Sequence, residues 1–135
     1  MPIAITEDHQ ALSDTVSDFL EKRNARGAAR DLLVATEEAR PPFWDDLREL
    51  GWLGLHVPEA AGGSDYGMQE LVVVVEELAR AITPGPFVPT VIASSVLTAV
   101  GGTLADKLLP GLASGETAGA VALGGDVELL SLIHI

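Results

Sequence analysis

The chain has no cysteine, which excludes disulfides, thiolate metal sites and cysteine nucleophiles. It is also short of positive charge. Against 20 Asp and Glu stand only 8 Lys and Arg, a formal charge of -12. A surface of that sign repels both a phosphate backbone and an anionic membrane, so nucleic-acid binding is not expected. The histidines, His9, His56 and His134, are too scattered in sequence to suggest a cluster, and no metal site is expected. No apolar run approaches a membrane span, and Met1 to Ile5 is too short and uncharged for a secretory leader. The expectation is a cytoplasmic protein without a membrane span. What the chain does have is 135 residues, 47% of them hydrophobic and 21% charged, enough for one buried core and hardly two.

Helical signals dominate. Thr6 is placed as an N-cap, with Glu7 and Asp8 where the helix dipole favours acids. Leu12, Val16, Phe19 and Leu20 then share one face, predicting a helix to about Ala25 that Gly27 interrupts. A second segment is expected from Ala28 to Ala39. Arg40-Pro41-Pro42 stops it, and a new helix follows from Phe43 to Leu50, closed by Gly51, with Trp44, Leu47 and Leu50 as its buried side.

Residues Gly51 to Gly63 alternate apolar anchors with turn formers and predict an ordered loop packed on the helices, Gly62-Gly63 supplying positive φ. Met68 to Ile82 carries the strongest helical period. Leu71, Val75, Leu78 and Ile82 form its stripe, flanked by Val72, Val74 and Ala79, with Glu70, Glu76, Glu77 and Arg80 on the opposite arc. Val73 projects into that polar arc, either as a lone exposed valine or as a point covered by another domain or subunit.

Three prolines between Thr83 and Pro89 make a stiff connection to a helix over about Thr90 to Val100. Gly101-Gly102 ends it, and Thr103 is placed to cap a further helix bearing Leu104, Leu108, Leu109 and Leu112, with Pro110 and Gly111 near its end. Ala118 to Leu123 reads as a short strand of small residues, the first β signal in the chain. A domain boundary is therefore expected near Gly115, giving residues 1–115 as a helical domain and 116–129 as the start of a β domain.

This order of elements, with Leu50-Gly51-Trp52-Leu53-Gly54-Leu55-His56-Val57-Pro58-Glu59 and Gly62-Gly63, then Glu76-Glu77-Leu78-Ala79, then Leu108-Leu109-Pro110-Gly111-Leu112-Ala113-Ser114-Gly115-Glu116, resembles the N-terminal helical domain of acyl-CoA dehydrogenases. The resemblance implies an all-α orthogonal bundle followed by the first strand of a missing β domain. It also implies a complete enzyme with a middle β domain, a C-terminal helical bundle, and dimeric or tetrameric assembly, homo- or hetero-oligomeric, around FAD. The reaction would be α,β-desaturation of an acyl-CoA, a Glu base taking the α-proton while hydride passes to flavin N5, with an electron-transferring flavoprotein as acceptor. That Glu lies in the C-terminal bundle of most members, so no catalytic residue is assigned in this chain. Glu59, Glu70, Glu76 and Glu77 are read as solvated carboxylates, and His56 as a hydrogen-bonding loop residue.

The helix after the proline-rich turn lines the acyl cavity in this family, which makes Phe87, Thr90 and Val91 the candidate substrate-pocket residues; as core and capping residues they would need no ligand at all. Most members carry Thr-Glu-Pro and then Gly-Ser-Asp after the first strand, whereas Leu123 is followed here directly by Gly124-Gly125-Asp126. The flavin contacts are thereby incomplete, and the chain alone is expected neither to hold FAD tightly nor to turn over substrate. Leu130 to Ile135 resembles the translation of CTG TCT CTT ATA CAC ATC, a sequencing-library transposon end, so residues 130–135 are expected to be foreign to a truncated dehydrogenase, the competing reading being a genuine hydrophobic strand. Two other readings stand beside that one: a non-catalytic partner subunit of a hetero-oligomeric acyl-CoA dehydrogenase, and a free-standing helical interaction module.

Overall fold

The computed structural model describes residues 5–37 and 39–122. Among them all regular structure is helical: α1 (Glu7–Lys22), α2 (Ala25–Leu33), α3 (Trp44–Glu49), 3-10 turns at Trp52–Gly54 and Glu59–Ala61, α4 (Met68–Arg80), α5 (Phe87–Val100) and α6 (Gly102–Ala113). α1 packs along α4 and α5 along α6, while the loop with its two 3-10 turns bridges α3, α5 and α6.

The N-cap of α1 is Thr6, as expected. Its hydroxyl accepts from the His9 amide at 3.2 Å and its own N–H donates to His9 Nδ1 at 3.3 Å, a capping box with histidine where Glu or Gln is usual. The break after α1 is not at Gly27. It falls at Asn24, which takes the left-handed conformation (φ +50), and α2 then runs through Gly27 and ends at Leu33, short of the expected Ala39. Gly27 is tolerated inside the helix because it leaves room for Asn24: a Cβ there would lie 2.1 Å from Asn24 Nδ2.

The expected stripe of α1 is bounded by buried Val16 and Leu20, with Leu12 and Phe19 half-buried beside them. Phe19 meets Trp52 and Phe43 edge-on, with ring centroids 5.4 and 6.2 Å away, which ties α1 to the loop and to the start of α3. In α3, Trp44 and Leu47 are buried but Leu50 is 44% exposed. Phe43 takes its place, because at 100° per residue it projects closer to Leu47 than Leu50 does.

In α4 the buried stripe is Leu71, Val74 and Leu78, with Val75 half-buried. Ile82 belongs to that stripe only if the helix continues. It stops at Arg80, and Ile82 swings out at φ +53 and is 65% exposed. Val72 is exposed as well. Each buried Leu or Val here contributes roughly 1.5–3 kcal/mol, so the core rather than surface ion pairing fixes the helix. Glu70 and Glu77 do not face solvent as expected; they border α1, where they bond His9 and Ser13 across the helix pair.

α5 begins at Phe87, three residues ahead of the expected start, because Pro89 falls in the first turn, where no intrahelical N–H bond is needed. Gly101 (φ +67) and Gly102 (φ +82) reverse the chain, and α6 starts at once, so Thr103 makes no cap. Leu109 and Leu112 are buried, whereas Leu104 and Leu108 are exposed. In the loop, Gly62 has the expected positive φ (+86) but Gly63 does not; Gly63 is small because a Cβ would sit 1.9 Å from the Val57 carbonyl oxygen.

Residues 118–122 form no strand. A strand needs a ladder partner, and none of the described residues lies in a strand. Instead the segment folds back on α5 and α6: Thr117 N–H donates to Gly111 O at 3.0 Å and Gly119 N–H to Thr90 Oγ1 at 3.1 Å. Leu123, Gly124-Gly125-Asp126, His134, the expected 130–135 tail and residues 123–129 of the expected 116–129 unit lie outside the described residues.

Candidate functional site

The chemistry-bearing region is the seam where the Gly51–Gly63 loop, α5 and the segment after α6 meet. α5 places Phe87, Thr90 and Val91 on its inner face at 3%, 0% and 3% exposure. Phe87 and Val91 join the main core. Thr90 donates to the Pro86 carbonyl at 2.6 Å and accepts from Gly119 N–H at 3.1 Å, so its hydroxyl is fully used. The three candidates thus come together and are packed within this chain.

The outer face of the same helix was missed in the sequence. Val88, Ile92 and Val96 recur every four residues and are 42%, 47% and 42% exposed. The signal that could have revealed them is the absence of any charged residue from Phe87 to Val100. A helix apolar all round is built to be covered all round. Val96 leads into a groove of about 410 Å³ between α5 and α6, lined also by Leu97, Leu108, Leu112 and residues 117–122.

On the loop side, His56 Nε2 lies 2.9 Å from Ser94 Oγ. Burial drives the imidazole below its ordinary pKa of 6.5, partly opposed by the Val91 carbonyl. A neutral ring, rather than a cation, is what this seam favours. Among the acids, Glu59 and Glu76 are exposed and Glu70 and Glu77 half-buried. Glu70 is held below the usual carboxylate range, mainly by its own backbone N–H, with His9 adding to the effect, and a depressed carboxylate is a weaker base.

Among the described residues, three buried side-chain atoms lack a partner: His56 Nδ1, Glu70 Oε2 and Thr83 Oγ1. They sit on the loop, on α4 and on the connection to α5, in separate surroundings, so they do not converge on one ligand. Among the described residues, no group of three or more His, Asp or Glu is placed to hold a metal, and no helix is long and apolar enough to cross a membrane.

The described residues form six helices, and the last two present an uncovered apolar face. The acyl-CoA dehydrogenase N-terminal domain family matches residues 6–116. The chain belongs to that family. It is 31% identical to acyl-CoA dehydrogenase FadE34 of Mycobacterium tuberculosis over 96% of this chain and 18% of the relative. It is 32% identical to mitochondrial isovaleryl-CoA dehydrogenase of Bos taurus over 95% of this chain and 32% of that protein. The solved structure of a Tcur3481-Tcur3483 steroid ACAD variant superposes with a TM-score of 0.74 at 27% identity, covering 85% of this chain and 32% of that one. The chain therefore spans 18% to 32% of the length of these relatives.

Proposed function

We propose that this chain supplies the N-terminal helical wall of a flavin-dependent acyl-CoA dehydrogenase, acting in α,β-desaturation of an acyl-CoA thioester, and that α5 forms the part of that wall nearest the acyl chain. The observation that carries this reading is α5 itself: fourteen residues without a charge, packed on one face and open on the other. An open valine and isoleucine face suits an aliphatic or polycyclic acyl group, which needs burial without hydrogen bonds. Phe87, Thr90 and Val91 would set the depth and rigidity of that wall from behind, while Val88, Ile92 and Val96 face outward.

On this reading FAD, the α-proton base and the docking of an electron-transferring flavoprotein belong to an assembly larger than the described residues, homo- or hetero-oligomeric. The role left to this chain is to bind, orient and exclude water. The depressed pKa of Glu70 and the exposure of Glu59 and Glu76 support assigning no base here. The residue division into a helical unit of 1–115, the opening of a β unit over 116–129 and a foreign 130–135 is part of the same proposal.

The test is acyl-chain preference in a complete acyl-CoA dehydrogenase carrying this domain. Phe87→Ala and Ile92→Ala are expected to shift the preferred chain length toward bulkier substrates, with flavin content unchanged. Identical profiles for wild type and both variants would contradict the assignment of α5.

A further inference from the structure

We propose that His56 is a positioning residue, fixed as the neutral Nε2–H tautomer, which holds the first turns of α5 in register with the Gly51–Gly63 loop. Resting on the reading of α5 as the acyl-facing helix, it adds the device that sets where Phe87, Thr90 and Val91 stand.

The tautomer follows from what faces the ring. Ser94 is wholly buried, and its hydroxyl hydrogen is directed to the Val91 carbonyl at 3.0 Å. Its oxygen therefore meets His56 Nε2, 2.9 Å away, as an acceptor. With an acceptor facing it, Nε2 carries the proton and donates. Nδ1, buried and without a partner, is then a bare lone pair. The opposite tautomer would strand a buried N–H, and orphaned donors are rarer and costlier than under-used acceptors.

The consequence is mechanical. Val91 O receives Ser94 Oγ and Ser95 Oγ, the latter at 2.7 Å, so one carbonyl gathers two hydroxyls, one of which the loop histidine also engages. Thr90 anchors the same turn from the other side through Gly119 N–H. The loop and the exit segment thus grip Ser94 and Thr90, residues one turn apart on α5. No other side-chain hydrogen bond links the loop to α5 among the described residues.

Long-range nitrogen–proton NMR of the labelled chain reads the tautomer directly. The expected result is Nε2–H at neutral pH, changing to a tautomer mixture in Ser94→Ala. Amide exchange reads the positioning: His56→Ala should speed exchange at Ser94 and Ser95 by about tenfold, and His56→Gln, whose amide can still donate to Ser94, should restore it to within about threefold. An Nδ1–H or charged imidazole at neutral pH would overturn the proposal. So would exchange unchanged by His56→Ala, or loss in His56→Gln equal to that in His56→Ala. None of these readouts involves acyl-CoA, so a failure of the acyl-wall reading would appear in the chain-length profile alone.

Discussion

Ile82 occupies a position made for glycine. Its N–H reaches Ala79 O at 3.0 Å and the next amide, of Thr83, reaches Leu78 O at 2.9 Å, the paired bonds of a Schellman ending, with Ile82 in the left-handed region at φ +53. A β-branched residue there is strained by about 1–2 kcal/mol, and at 65% exposure its side chain returns little packing. Ile82→Gly is expected to raise stability by about 1 kcal/mol, seen as a higher urea midpoint with unchanged slope; an equal or lower midpoint would contradict the strain. Acid sensitivity is the second residue-scale prediction. His56 has a folded pKa lowered by burial, so between that value and 6.5 the unfolded chain binds more protons, and stability falls as pH drops through this window. Glu70, lowered from 4.5, adds a further loss as pH falls below that value. Urea midpoints should decline from pH 7.5 to pH 5.5, and His56→Gln should flatten that decline; a decline unaltered by the substitution would remove His56 as its source. Single residues were legible in the sequence where chemistry was local, as with Thr6 and Gly62. They were not legible where a distant neighbour decided, as with Gly63 against Val57 or Ser94 under His56.

Helices were more legible than their ends. The apolar period of α4 stands out in the sequence, yet the period alone carries the helix to Ile82, because nothing in it marks the Schellman turn that stops the chain at Arg80. Between α1 and α2, propensity favours a break at Gly27; the structure breaks at Asn24 because the glycine is needed to admit the Asn24 side chain. The strand expected from Ala118 rests on small apolar residues that fit equally well as a strap across α5 and α6, and at Gly119 that strap lies close: a Cβ there would stand 2.8 Å from both Ala93 and Leu112. Elements are also joined by polar bonds that no periodicity predicts. Trp44 Nε1 donates to the Gly115 carbonyl at 3.1 Å, fastening α3 to the end of α6 while Arg40 stacks on its ring. Trp44→Phe keeps an aromatic ring but strands the buried carbonyl, and is expected to destabilise by about 1–3 kcal/mol. A urea midpoint indistinguishable from wild type would show that the junction is held by packing alone.

At the scale of the whole molecule, the sequence conveyed the class and the family through motifs spread from Leu50 to Glu116, a range the family match contains. It conveyed less about surfaces. Leu104 and Leu108 look like core residues by spacing and are exposed, as are Val88, Ile92 and Val96, because spacing reveals which residues are apolar and not whether this chain covers them. Those uncovered faces, and the chain's span of 18% and 32% of two relatives, support the proposal that the flavin and the reaction belong to a larger assembly. The most direct measurement is flavin stoichiometry. FAD is added to the purified 135-residue chain, and in parallel to residues 6–116 joined to the middle and C-terminal domains of an acyl-CoA dehydrogenase. Both are gel-filtered and then exposed to acyl-CoA. The account predicts free flavin from the chain alone, and from the joined protein a retained yellow flavin that bleaches with substrate. Equimolar flavin held by the chain alone and bleached by acyl-CoA, or a flavin-loaded joined protein that never bleaches, would contradict it.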